Sequence, residues 1–213
     1  MRLMRVGARG AERPVVLDAD DGAYDLTPVA PRIDDAFLAG DGLAMVREAL
    51  VAEGLRQVDI TGERVGAPIE WPGTVVCIGL NHTDHAAEPG AAVPSEPVVF
   101  LTASIIVIGP HDDVLLPRGS TKTEWEVEPV VVLGRVARCP KSSAGAYDVI
   151  AGYAVSHDAS EREFQLDLEL DDVSGPQVRV ARAPEGHARW RPPVHHVPAL
   201  DGLGRQRQTV RKA

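Results

Sequence analysis

The chain has 213 residues, 44% of them apolar and 25% charged, with a formal net charge of −9. That composition is ordinary for a folded chain and excludes globally disordered, collagen-like and coiled-coil classes, while no apolar run approaches the roughly 18 residues of a membrane span. The charge is uneven: residues 1–175 carry 14 Lys+Arg against 29 Asp+Glu, and residues 176–213 carry 8 against 2.

An acidic body of this kind argues against broad nucleic-acid binding. The start, MRLMRVGARGAERP, lacks the apolar stretch of a signal peptide. Two cysteines, Cys77 and Cys139, suit a reducing compartment better than a disulfide framework. A cytoplasmic protein with no membrane partner is the expectation.

In chain order, residues 1–70 read as a small α+β domain. Val15–Leu17 is strand-like, and Asp20–Gly22 supplies turn chemistry. Leu43 to Glu53 predicts a helix, with Asp41 as N-cap, Gly54 as C-cap, and Leu43, Val46, Leu50 and Val51 on one face. Pro68, Trp71, Pro72 and Gly73 mark a hinge into a second domain, residues 71–170. There the pattern predicts strands at Val75–Ile78, Pro97–Leu101, Ile105–Ile108, Glu126–Leu133 and Val149–Ser156. The Ala-rich loop over 82–97 reads as a mobile lid, since long loops in compact domains are often functional. Residues 171–213 read as an irregular basic tail, because RWRPPVHHVP suits neither a helix nor a central strand.

The segment TKTEWEVEPVVVL carries the most chemistry. Strand alternation puts Glu126 and Glu128 on one face, their Cα atoms about 6.5–7 Å apart. Two like charges so placed repel, and a cation between them reverses the sign. Carboxylate oxygens suit hard ions: Mg²⁺, Mn²⁺ or Ca²⁺. The plain alternative is a solvent-facing strand with exposed glutamates. Asp158, at the end of a predicted strand, adds a third carboxylate; its plain alternative is a helix N-cap, with Asp158 or Ser160 starting a short helix through Phe164 and Glu161 completing a capping box with Asp158, a role compatible with metal binding. His85 and Glu88 are spaced i, i+3, so on a helical turn the carboxylate orients the imidazole as a general base requires. The alternative there is an exposed polar turn.

The strings VVCIGLNHTDHAAE, EPVVFL, VLLPRGSTKTEWEVE and AGYAVSHDASEREFQ, in that order, resemble the fumarylacetoacetate hydrolase family, in particular its short bacterial members. Residues 1–70 are similar to the family's small N-terminal domain, with weaker motifs. The resemblance implies an α+β, mostly β fold: a mixed β-roll holding Mg²⁺ or Mn²⁺, with Ca²⁺ as a further candidate. It implies Glu126, Glu128 and Asp158 as metal ligands, and His85 with Glu88 as a dyad on the lid that activates water or moves a proton. It implies Arg162 and Gln165 as contacts to a small oxo-acid substrate, and a homodimer as the usual assembly. The implied reactions are C–C bond hydrolysis, decarboxylation or keto–enol isomerisation.

The sequence departs from the family pattern at His82, Thr102 and Pro129. Beyond Gln165 the family's G-K segment, later core strands and G-T-P-x-G loop do not follow, so the tail reads as the product of a truncation or frameshift that removes part of the β-roll and impairs turnover. A non-catalytic remnant of the family is the main rival. Two others are weaker: nucleic-acid binding by the tail arginines with Trp190, and zinc binding by His187, His195 and His196.

Overall fold

The computed structural model describes residues 1–79, 95–162, 189–190 and 200–201, the last two pairs as backbone only. The departure at His82, the expected dyad His85 and Glu88, the expected contact Gln165 and nearly all of the tail lie outside the described residues.

The architecture is mostly β. Strands β1 (Arg2–Val6), β2 (Arg13–Leu17) and β3 (Ala23–Asp25) form an antiparallel meander. The turn between β2 and β3 is the expected Asp20–Gly22 segment. Asp18 Oδ1 accepts from the Asp20 and Gly22 backbone N–H groups, and Asp21 adopts a left-handed φ of 67°. Two helices follow, α1 (Asp35–Ala39) and α2 (Gly42–Val51). Asp34 caps α1 by accepting from the Phe37 N–H at 2.9 Å. Asp41 occupies the N-cap position of α2, as expected, but its side chain makes no capping bond. Val46 is fully buried, whereas Val51, expected on the same face, is exposed.

Strands β4 (Val75–Gly79) and β5 (Val98–Thr102) pair as an antiparallel ladder. The expected strand at Ile105–Ile108 is instead a 3-10 turn over Ser104–Ile106, with Ile105 exposed. A short β6 (Val114–Leu115) pairs with β9 (Arg189–Trp190). The dominant element is the long antiparallel pair β7 (Thr123–Leu133) and β8 (Ile150–Glu161), joined through α3 (Ser143–Tyr147). Strand β10 (Leu200–Asp201) bridges β1 and β8, giving a six-stranded sheet in the order β3-β2-β1-β10-β8-β7. Pro129 sits in β7, at the edge of this sheet, where a missing ladder N–H is tolerated.

The core explains how β7 is oriented. Leu3, Val16, Leu26, Ile33, Leu38, Val46 and Val132 form one buried cluster, against which Val130, Ala151 and Ala154 pack. Val130 and Val132 therefore turn inward, and alternation carries the same inward face back along β7 to Glu128, Glu126 and Glu124.

A buried ion network ties the N-terminal strands to the 109–112 loop. Arg64 donates to Glu12 at 2.7 Å and to both Asp112 oxygens at 2.6 Å, and Arg5 reaches Glu12 at 3.3 Å. Burial pushes the Asp112 carboxyl up, but the Arg64 pair and the Gly109 N–H outweigh it and leave the group below its ordinary range. Gly109 lies against the backbone of this junction; a Cβ there would meet the Val65 carbonyl oxygen at 2.2 Å. Among the described residues no helix is long and apolar enough to cross a membrane.

Candidate functional site

The register of β7 against β8 assembles the site. Glu126 lies opposite Asp158, Glu128 opposite Ser156, Val130 opposite Ala154. Directly opposed residues of an antiparallel pair project to the same face. Glu126, Glu128 and Asp158 thus share the inward face of the pair, and all three are half-buried. Glu126 and Glu128 are partly covered rather than fully exposed, while Glu124 on the same face is exposed. The other face, with Trp125, Val127 and Val131, is solvent-exposed. There Trp125 stacks on His157 with ring centroids 5.2 Å apart. Burial lowers the His157 pKa from its ordinary value, with Asp158 pulling the other way.

Asp158 is not a helix N-cap. Strand β8 runs five residues past its expected end at Ser156, through Glu161, so Asp158 sits within the strand. Pairing with β7 carries the polar stretch SHDASE into extended structure.

Arg162 follows β8 directly. Its Nη2 donates to Glu126 Oε1 at 2.8 Å, and its guanidinium also pairs with Glu124. The expected substrate-contacting arginine is therefore joined to an expected metal ligand. Its backbone N–H donates to the Lys122 carbonyl at 3.1 Å. The neighbouring Glu161 is only 1% exposed, and its carboxylate accepts from the Ser120 and Thr123 hydroxyls.

Glu124 and Glu161 were not among the expected site residues. The signal for Glu124 was present in TEWEVE, where three glutamates recur at period two. No local pattern announces Glu161, because its hydroxyl partners lie about 40 residues away.

The donor set suits a hard divalent cation: three carboxylates, all oxygen donors, one strand register apart. The side chains as placed are not closed around a point. Among the described residues no group of three or more His, Cys, Asp or Glu forms a ready metal centre. Glu126 is turned toward Arg162 instead.

Comparison with known proteins follows the same segment. The family model for the fumarylacetoacetate (FAA) hydrolase C-terminal region matches residues 74–188. A Burkholderia lata protein, named only provisionally and as a hydrolase, is 44% identical over 168 residues, which is 78% of this chain and 58% of that protein. The chain thus spans less than two thirds of the length of the curated relatives it matches. Among solved structures, an HpcE-type protein from Mycobacterium smegmatis, provisionally assigned, aligns with TM-score 0.66 and 30% identity, over 86% of this chain and 62% of that one. A maleylpyruvate hydrolase from Sphingobium, solved with manganese(II) and pyruvate, aligns with TM-score 0.61 over 76% of this chain and 60% of that one; at 21% identity it shows likeness of fold alone. The mostly-β fold with few helices is that of the family's C-terminal region, and the chain belongs to the fumarylacetoacetate hydrolase family.

Proposed function

We propose that this protein acts on small oxo acids in a divalent-cation-dependent reaction: C–C bond hydrolysis, decarboxylation or keto–enol isomerisation. The observation that carries the proposal is the placement of Glu126, Glu128 and Asp158 on one half-buried face of β7–β8. Three carboxylates gathered on an inward face repel one another and cost stability unless a cation offsets them. Family membership supports the same chemistry. The Sphingobium maleylpyruvate hydrolase, alike in fold, was solved with manganese(II) and pyruvate, an ion and a ligand of the classes proposed here.

In this proposal Glu126, Glu128 and Asp158 hold Mg²⁺ or Mn²⁺. The ion supplies Lewis-acid polarisation of substrate oxygens. Arg162 binds the substrate carboxylate, for which a planar guanidinium fork is well suited. Gln165 adds a hydrogen bond to the same ligand. His85, oriented by Glu88, takes a proton from water or from the substrate carbon, and returns it to the product. A homodimer is what the family resemblance implies for intact members.

The test is an assay of the full chain against oxaloacetate and acylpyruvates with Mg²⁺ or Mn²⁺. Cation-dependent turnover that is lost in His85→Ala supports the proposal. Turnover indifferent to chelator, or no turnover with any oxo acid, contradicts it.

A further inference from the structure

We propose that Arg162 is the resident counter-cation of the carboxylate face and that Glu124 is its second anchor: a divalent cation taking Glu126 displaces the Arg162 contact there, while Glu124 keeps the guanidinium beside the site. This rests on the divalent-cation proposal for Glu126, Glu128 and Asp158.

The geometry carries the idea. Glu124 and Glu126 are two residues apart in β7 and so share a face. The Arg162 fork spans both: Nε and Nη2 reach Glu124, and Nη2 reaches Glu126 at 2.8 Å. The main chain beneath the arginine is pinned. Its N–H is bonded to Lys122, and the adjacent Glu161 carboxylate is buried under the Ser120 and Thr123 hydroxyls. Rotation of side-chain bonds alone is enough to shift the guanidinium from Glu126 toward Glu124.

The energetics set the direction. Without a divalent ion, Arg162 offsets the repulsion between neighbouring carboxylates. With the ion on Glu126, two cations would crowd one carboxylate, and the guanidinium moves onto Glu124. Glu124 has its side chain 47% exposed, against 28% for Glu126, and so is the better hydrated of the two anchors. The donors that faced Glu126 become available to a substrate carboxylate. Linkage makes the effect reciprocal: an acid that draws Arg162 off Glu126 tightens the ion. Glu124 is thus a positioning residue, acting through Arg162.

Calorimetric titration of the full chain with Mn²⁺ tests this without requiring turnover. Four proteins are compared: wild type, Arg162→Gln, Glu124→Gln and the double variant. Removing the competitor in Arg162→Gln should tighten Mn²⁺ by roughly three- to tenfold. Glu124→Gln should weaken Mn²⁺ by about threefold in the wild-type background and change nothing once Arg162 is gone. Unchanged or weaker Mn²⁺ binding in Arg162→Gln overturns the proposal. An equal effect of Glu124→Gln in both backgrounds also overturns it, because Glu124 would then be only a nearby charge. If Arg162→Gln lacks a cooperative melt, Arg162→Lys takes its place. It keeps the charge but cannot fork onto two carboxylates, so it should tighten Mn²⁺ by less, and no change overturns the proposal. Absence of Mn²⁺ binding in every protein overturns the cation proposal itself, and this one with it.

Discussion

Glu126 of β7 and Asp158 of β8 stand directly opposite each other across an antiparallel pair, although 32 positions separate them in the chain. The buried Val132 and its neighbour Val130 fix which face of β7 turns inward, and Glu126 and Glu128 follow by alternation. Packing against the helices therefore places the carboxylates, and their chemistry inherits that placement.

The Arg64 network should be a main support of the N-terminal strands. Arg64→Ala leaves Glu12 and Asp112, both nearly buried, without their principal cation. Breaking such a pair by removing one partner costs about 3 kcal/mol or more. Urea unfolding should show a lower midpoint with an unchanged m-value. An unaltered midpoint would mean that solvent already screens the network.

Gly109 is required by close approach. Any side chain there drives its Cβ into the Val65 carbonyl oxygen, which belongs to the backbone and cannot simply rotate away. Gly109→Ala should cost roughly 1–3 kcal/mol, the usual range for overpacking. Thermal melting should detect it; a variant as stable as wild type would show that the loop shifts freely.

Asp25 sets a test in acid. The Thr27 hydroxyl and backbone N–H and the Arg56 guanidinium hold its carboxyl at about 2, against an ordinary value near 3.8. A depressed carboxyl contributes stability that is fully present above its unfolded pKa and is lost as pH falls through the folded one. Asp25→Asn should therefore be less stable than wild type at pH 7. The gap should narrow between pH 4 and pH 2, as circular dichroism during acid denaturation would show. A gap independent of pH would assign the loss to hydrogen bonding rather than charge.

Much of the fold was legible because apolar runs are bounded by turn residues. Val15–Leu17, Val75–Ile78, Pro97–Leu101 and the Glu126–Leu133 stretch all lie in strands whose ends differ from expectation by a few residues at most. Ile105–Ile108 misled because its composition is equally apolar. A strand needs a partner, and here the chain closes a 3-10 turn through the Ile106 and Val107 N–H groups. SHDASE misled in the opposite sense: beyond Ser156 it offers helix-capping residues, yet pairing with β7 holds it extended through Glu161.

The shared face of Glu126 and Glu128 was legible for a different reason: period-two glutamates mark one strand face, whereas the register that sets Asp158 opposite Glu126 was not written in either segment alone. The contact between Arg162 and Glu126 was not legible, because it spans 36 positions and depends on the register of two strands. Glu161 was hidden likewise: local reading gave it to a helix cap, whereas its partners come from the start of the opposite strand.

Mn²⁺ titration of the full chain, followed by calorimetry in wild type and in Glu126→Ala, Glu128→Ala and Asp158→Ala, tests the assignment of these carboxylates most directly. A single equivalent of Mn²⁺ should bind the wild type. Each substitution should weaken it by at least about tenfold, since each removes one charged donor from a small set. Equal affinity in wild type and Asp158→Ala, or no saturable binding to the wild type, would contradict the assignment.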